Sequence, residues 1–210
     1  RNYPVEHLIY ASSSSIYGGN KKIPFSEKDP VNSPISLYAA TKKANELIAA
    51  SYNNLYQIPC TGLRFFTVYG PWGRPDMAYY SFTEAILKNK VIKVFNNGNL
   101  KRDFTFIDDI INSLVILIKI DQQKVTRLNR VLNIGNNKPE NLLDFINILE
   151  IELDLMARKE YLPMQQGDVY ETYADISQLT KITKYNPKTS LQEGLKKFIS
   201  WYKEYNKVNK

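Results

Sequence analysis

One histidine and one cysteine are all the chain carries of those two residue types, and that scarcity excludes a good deal of chemistry. Cys60 has no partner for an internal disulfide, so a reducing compartment is expected, and His7 with Cys60 falls short of a zinc ligand set. Glycine is sparse as well: nine residues, none arranged as G-x-G-x-x-G after a strand, so the loop that cradles a dinucleotide phosphate is missing from these residues. Long apolar runs are lacking. The most hydrophobic stretch, 110–120, is broken by Asn112, Ser113 and Lys119 and is too short to cross a bilayer. No stretch reads as a secretory leader or anchor, so a cytoplasmic setting without a membrane partner is expected. The net charge of +7 is dispersed along the chain with no dense basic run, which argues against nucleic acid as a partner.

What is present suits a globular α/β chain. With 210 residues, 43% hydrophobic and 23% charged, it can bury a core of one domain or somewhat more. Segment 7–12 reads as a buried strand, 37–56 as a long helix and 60–66 as a second strand, and strand-helix-strand is a parallel crossover unit. Beyond it the pattern predicts a helix at 81–88, strands at 92–95 and 103–107, a turn at 97–99, an apolar helix led by Asp108 and Asp109, a strand at 131–134, and helices at 141–153 and 191–205. No repeat or low-complexity linker is visible.

Tyr38 and Lys42 stand four residues apart in SLYAATKK. On a helix that spacing shares a face, where the ammonium favours the ionised phenol and makes it a base toward a hydroxyl. Among 15 tyrosines the spacing also arises by chance, and it recurs at Tyr17 and Lys21. Gly18, Gly19 and Asn20 between that second pair read as a turn, whereas 39–58 contain neither glycine nor proline. Only the Tyr38 pair therefore sits on a helix. Ser12, Ser13, Ser14 and Ser15 follow the first strand at its carboxyl end, where open α/β sheets bind ligands. A hydroxyl there can bond a substrate hydroxyl or a developing oxyanion, or simply serve a polar turn.

The strings YASSSSIYG, SLYAATKKANEL, GLRFFTVYGPWGRPDMA, RDFTFIDDI, NIGN and QQGDVYETYAD, in that order, resemble the UDP-glucuronate 4-epimerases of the extended short-chain dehydrogenase/reductase superfamily. The resemblance covers 6–205. It implies NAD as a bound cofactor, a UDP-sugar substrate and inversion at carbon 4 through a 4-keto sugar, supplying capsule or envelope polysaccharide precursors. It implies Tyr38 as the base toward the 4-hydroxyl, Lys42 beside it on the nicotinamide ribose, and Ser13 as the partner hydroxyl. Ala11, Ser12 and Phe65 fall at cofactor-contacting places. Ser14, Ser15 and Thr67 fall near the sugar, Arg74 at its carboxylate, Arg102 at the diphosphate, Val94 and Phe95 around uracil, and Asp168 near the nucleotide. The resemblance also separates reactions: 4,6-dehydratases carry Asp-Glu where this chain has Ser14 and Ser15, and decarboxylases a glutamate at Ser15. UDP-galactose 4-epimerases usually show Asn at Thr67 and lack the GPWGRPDM loop. In the family a homodimer forms through paired long helices, one of them at 37–56.

The departure from the family is the absent glycine-rich start, and about one hundred residues of a complete nucleotide-binding half are expected to lie outside the chain. The fold class expected is thus α/β, the carboxyl-terminal part of a doubly wound Rossmann-type parallel sheet plus a smaller α/β substrate-binding lobe. Residues 1–75 would be the remaining half of the NAD-binding domain and 76–210 mainly the nucleotide-sugar lobe, with 103–135 returning to the Rossmann sheet. Two readings stand: the sugar-side part of a UDP-hexuronate 4-epimerase, or a non-catalytic remnant that cannot bind NAD alone. Under either, the isolated chain is expected to be inactive.

Overall fold

A computed structural model of the chain describes residues 1–3, 5–120, 129–165 and 169–208. In chain order it runs β1 (Leu8–Ser13), a 3-10 turn (Ser14–Tyr17), α1 (Leu37–Tyr56), β2 (Cys60–Phe65), β3 (Thr67–Tyr69), α2 (Ala78–Leu87) and β4 (Val91–Phe95). A second 3-10 turn (Asn96–Gly98) leads to β5 (Lys101–Phe106), α3 (Ile107–Lys119), β6 (Asn129–Ile134), β7 (Pro139–Asn141) and α4 (Leu142–Leu153). The rest is β8 (Arg158–Leu162), β9 (Glu171–Thr172), α5 (Ser177–Thr183) and α6 (Leu191–Tyr205).

Helix α1 starts at Ser36, whose Oγ accepts from the Ala39 amide at 3.1 Å, and ends where Gln57 turns left-handed at φ 54°. It links β1 to β2, which pair in parallel with Leu8 opposite Cys60 and Ser13 opposite Phe65, and β6 lies parallel on the far side of β2. The sheet order is therefore β1-β2-β6, with β1 at one edge. Strand parity sorts the faces of β2. Arg64 points at α1 and Cys60 contacts its backbone, whereas Leu63 joins an apolar core with Ile16, Phe25, Ile110, Leu132, Ile134 and Leu179.

A second core gathers Tyr69, Phe104, Phe106, Phe145, Leu149, Leu195 and Phe198 around β5. That strand is parallel to β3 and β9 and antiparallel to β7, while β4 and β8 form a separate parallel pair. Asp103 of β5 is fully buried and accepts from the amides of Asn136, Asn137 and Ala174 at 2.7–3.0 Å, which staples the two cores together. Of the segment 103–135 expected in the first sheet, β6 lies there, but β5 pairs with β3 instead.

Candidate active site

The carboxyl ends of β1 and β2 open onto a cavity of about 450 Å³, walled by Ala11, Ser12, Ser13, Ser14, Phe65, Phe66, Thr67, Val68 and, from α1, Tyr38 and Lys42. Arg74 and Met77 close its far side. The helix sets the geometry of the pair: the Lys42 ammonium lies 5.7 Å from the Tyr38 ring centroid and donates to the Ala11 carbonyl at 3.2 Å. Tyr38 itself is 55% exposed, so its phenol is open to a ligand. Ser13 caps the first 3-10 turn, its Oγ accepting from the Ser15 amide at 3.2 Å and the Ser15 hydroxyl at 2.9 Å. With both lone pairs engaged, Ser13 has only its proton left to offer another group, which makes it a donor at the cavity wall.

Thr67 also borders two further cavities. One, of about 250 Å³, is mainly apolar and is lined by Phe82, Lys93, Phe95, Leu100, Arg102 and Phe104 among others; the other, of about 410 Å³, is lined by Ser14, Ser15, Ile35, Ser36, Arg102 and Thr172 among others. β3 pairs with β5, Thr67 opposite Phe104, and that register brings Arg102 to the same place. Arg102 donates to the carbonyls of Lys101 and Tyr170 at 2.8 and 3.3 Å, which fixes its guanidinium beside the junction. The three cavities adjoin through the shared Thr67 and together make a branched trough, with Tyr38 lining one branch and Phe95 another.

Two expected contacts take a different form. Val94 is 0% exposed and packs in the second core, because strand alternation turns it inward and sends Lys93 and Phe95 to the cavity. Ser12 lines the first cavity, but its proton is donated to Glu46 at 2.7 Å, so toward a cofactor its hydroxyl can only accept. Asp168 lies outside the described residues. Trp72, Tyr79, Lys93 and Glu140 line the cavities and were not anticipated. For Lys93 the signal was there, two residues from Phe95 on one strand face.

Beneath the site, Glu46 and Arg64 form a bidentate ion pair at 2.8 and 2.9 Å, 5% and 3% exposed. Burial alone would raise the Glu46 carboxyl, but the Arg64 bonds and charge, with the Ser12 hydroxyl, outweigh it and hold it below its ordinary range. Arg64 also donates to the Tyr17 phenol at 3.0 Å, and that phenol donates to Asn133 at 2.6 Å. Burial pushes Tyr17 up to about 12, so the second tyrosine of the repeated spacing is a structural group, not a base.

Known proteins are similar to this chain in sequence and fold. The family model described as "NAD dependent epimerase/dehydratase family" matches residues 1–135. Protein CapI of Staphylococcus aureus is 48% identical over 99% of the chain and 66% of its own length. UDP-glucuronate 4-epimerase 4 of Arabidopsis thaliana is 48% identical over 96% of the chain and 49% of its own length. The crystal structure of UDP-glucuronic acid 4-epimerase from Bacillus cereus with UDP-glucuronic acid and NAD superposes with a TM-score of 0.88 at 35% identity, covering 97% of the chain and 63% of that protein. The chain thus spans 49–66% of the length of these relatives. No helix among the described residues is long and apolar enough to cross a membrane. The parallel sheet, the tyrosine-lysine helix over its carboxyl end and the family match agree: the chain belongs to the NAD dependent epimerase/dehydratase family.

Proposed function

We propose that this chain supplies the proton-transfer and sugar-binding side of an NAD-dependent UDP-hexuronate 4-epimerase that interconverts UDP-glucuronate and UDP-galacturonate. The observation that carries the reading is one trough that holds Tyr38, Lys42 and Ser13 at its open end, Arg74 on its wall, and Arg102 and Phe95 beyond Thr67. Relatives named UDP-glucuronate 4-epimerase support it.

The residues here fit the reactive end of NAD: Phe65, Phe66 and Val68 give an apolar wall, with the Lys42 ammonium and Ala11–Ser13 at the strand ends. Bound there, NAD would supply the hydride acceptor for carbon 4 and the donor that restores it on the opposite face. Tyr38 removes the 4-hydroxyl proton and later gives one back, and the Lys42 charge over its ring favours the negative charge that develops on the phenol oxygen. Ser13, limited to donating, bonds the oxygen at carbon 4 as it becomes a carbonyl. Arg102 faces the diphosphate, and Lys93 with Phe95 frames the base in the apolar branch.

Arg74 decides which sugar enters. Its ion pair with Asp76, 3.3 Å, is at the surface and weak, so a substrate carboxylate can replace Asp76 and take a bidentate grip. That grip matters because a 4-keto uronate is a β-keto acid, and holding the carboxylate resists loss of carbon dioxide. The test is the NAD-loaded full-length protein with UDP-glucuronate, followed by NMR of the sugar. UDP-galacturonate is expected to accumulate to a fixed ratio, and no product, or UDP-glucose turned over equally well, would overturn the reading. Arg74→Ala should raise KM for UDP-glucuronate by about 10- to 100-fold, the worth of a charge-assisted pair.

The complete protein is read as a homodimer. On α1 the face away from the sheet exposes Ile48, Tyr52 and Leu55 at helical spacing, an apolar stripe that a second copy can cover symmetrically. Ile48→Arg should weaken the dimer by at least about tenfold in sedimentation equilibrium, since an unpaired charge would be buried there. A monomeric parent, or a dimer indifferent to Ile48→Arg, would remove this face from consideration.

A further inference from the structure

The segment 70–77 that carries Arg74 borders two cavities: Trp72 and Gly73, with Val68 and Tyr79 beside the segment, line both the one that holds Tyr38 and a further one of about 410 Å³. Its shape is nonetheless tightly specified. Trp72 takes a left-handed backbone at φ 63°, which a bulky residue rarely adopts unless its surroundings impose it. Gly73 passes so close to Tyr79 that a Cβ would sit 1.5 Å from the phenol oxygen.

The surroundings that impose it are on the last helix. Trp72 is 75% exposed, yet its ring meets Trp201 at 5.3 Å and Tyr205 at 5.2 Å, and Trp201 stacks on Tyr205 at 5.1 Å with 18° between planes. Trp201 in turn rests on Phe198 of the buried core. Helix α6 thereby connects to the substrate-facing segment through an aromatic ladder, although no residue of α6 lines the cavity.

We infer that Trp201 and Tyr205 are positioning residues: by holding Trp72 they set where Arg74 stands, and so they set the preference for a carboxylated over a neutral sugar. This rests on the assignment of Arg74 to the sugar carboxylate. A misplaced guanidinium costs the uronate its bidentate grip and costs the neutral sugar nothing, so the signature is a change in selectivity rather than a general loss of binding.

The two tryptophans of the chain are the tilted pair in contact here, so the exciton couplet between them in circular dichroism reports on this contact. In the NAD-loaded full-length protein, Trp201→Leu should abolish the couplet and lower the ratio of UDP-glucose to UDP-glucuronate dissociation constants by about tenfold, as expected when one charge-assisted contact is misaligned. Trp201→Phe, which keeps a ring against Trp72, should restore most of the ratio. Tyr205→Ala, at an exposed position near the helix end, gives the same reading if Trp201→Leu folds poorly. An unchanged ratio in Trp201→Leu and Tyr205→Ala, with the ratio collapsed in Arg74→Ala, overturns the inference and leaves the carboxylate assignment standing. An unchanged ratio in Arg74→Ala overturns both.

Discussion

Tyr38→Phe should lower turnover of UDP-glucuronate by about 10²- to 10⁴-fold, the usual worth of a positioned acid-base group. The loss should fall on kcat. Only the phenol oxygen is removed, and Tyr38 is half exposed with its ring beside Lys42, so stability should move by no more than about 0.5 kcal/mol. Binding of UDP-glucuronate, measured by titration calorimetry on the NAD-loaded full-length protein, should change little. The contrast is Tyr17→Phe, at the other tyrosine with a lysine four residues on. There the lost oxygen leaves one N–H of Arg64 and the side-chain oxygen of Asn133 without the bond each made to it, so about 1–3 kcal/mol of stability should go. Turnover of Tyr38→Phe within tenfold of the parent would show that another group moves the proton.

The difference in helical context between the two tyrosines was legible in the sequence, and the reason is local. Three glycine-asparagine positions after Tyr17 forbid a helix, while Ser36 and the unbroken stretch after it start and sustain α1. Strands β1 and β2 were legible because both are apolar runs between turn residues. β8 was not: Arg-Lys-Glu-Tyr-Leu has no apolar alternation, and it is a strand because β4 offers it a partner. β3 is three residues long and carries no periodicity, yet its pairing with β5 is what brings Thr67 and Arg102 together across 35 residues of chain. Tyr38 with Lys42 could be read because helical spacing fixes it. The trough beyond Thr67 could not, because it depends on the register of strands that meet only in the folded chain. Val94 shows the intermediate case: parity along β4 would have chosen Lys93 and Phe95.

Arg64→Leu should cost about 3–5 kcal/mol, the penalty for leaving one charge of a buried pair behind, and lower Tm by roughly 6–20 °C. Glu46 would keep Ser12 and Lys43 at 2.7 and 3.3 Å, but neither replaces the two-pronged contact at 2.8 and 2.9 Å. Its pH dependence identifies the charge. Because the folded carboxyl lies below its ordinary 4.5, its contribution is present above that pH and is lost as pH falls through the lower folded value. The Tm gap between the parent and Glu46→Gln should therefore be widest near neutrality and narrow on acidification below pH 4.5; a gap constant from pH 3 to 7 would mean that Glu46 is not the ionised partner. Glu46→Leu with Arg64→Met should recover much of the stability, since two apolar groups leave no orphaned charge. The same pair ties α1 to the strands that end in Ser13 and Phe65, through Ser12 and Arg64. If it also sets the height of Tyr38 over the sheet, the double variant should be folded and yet poor in kcat. A stable double variant with full turnover would confine the pair to stability.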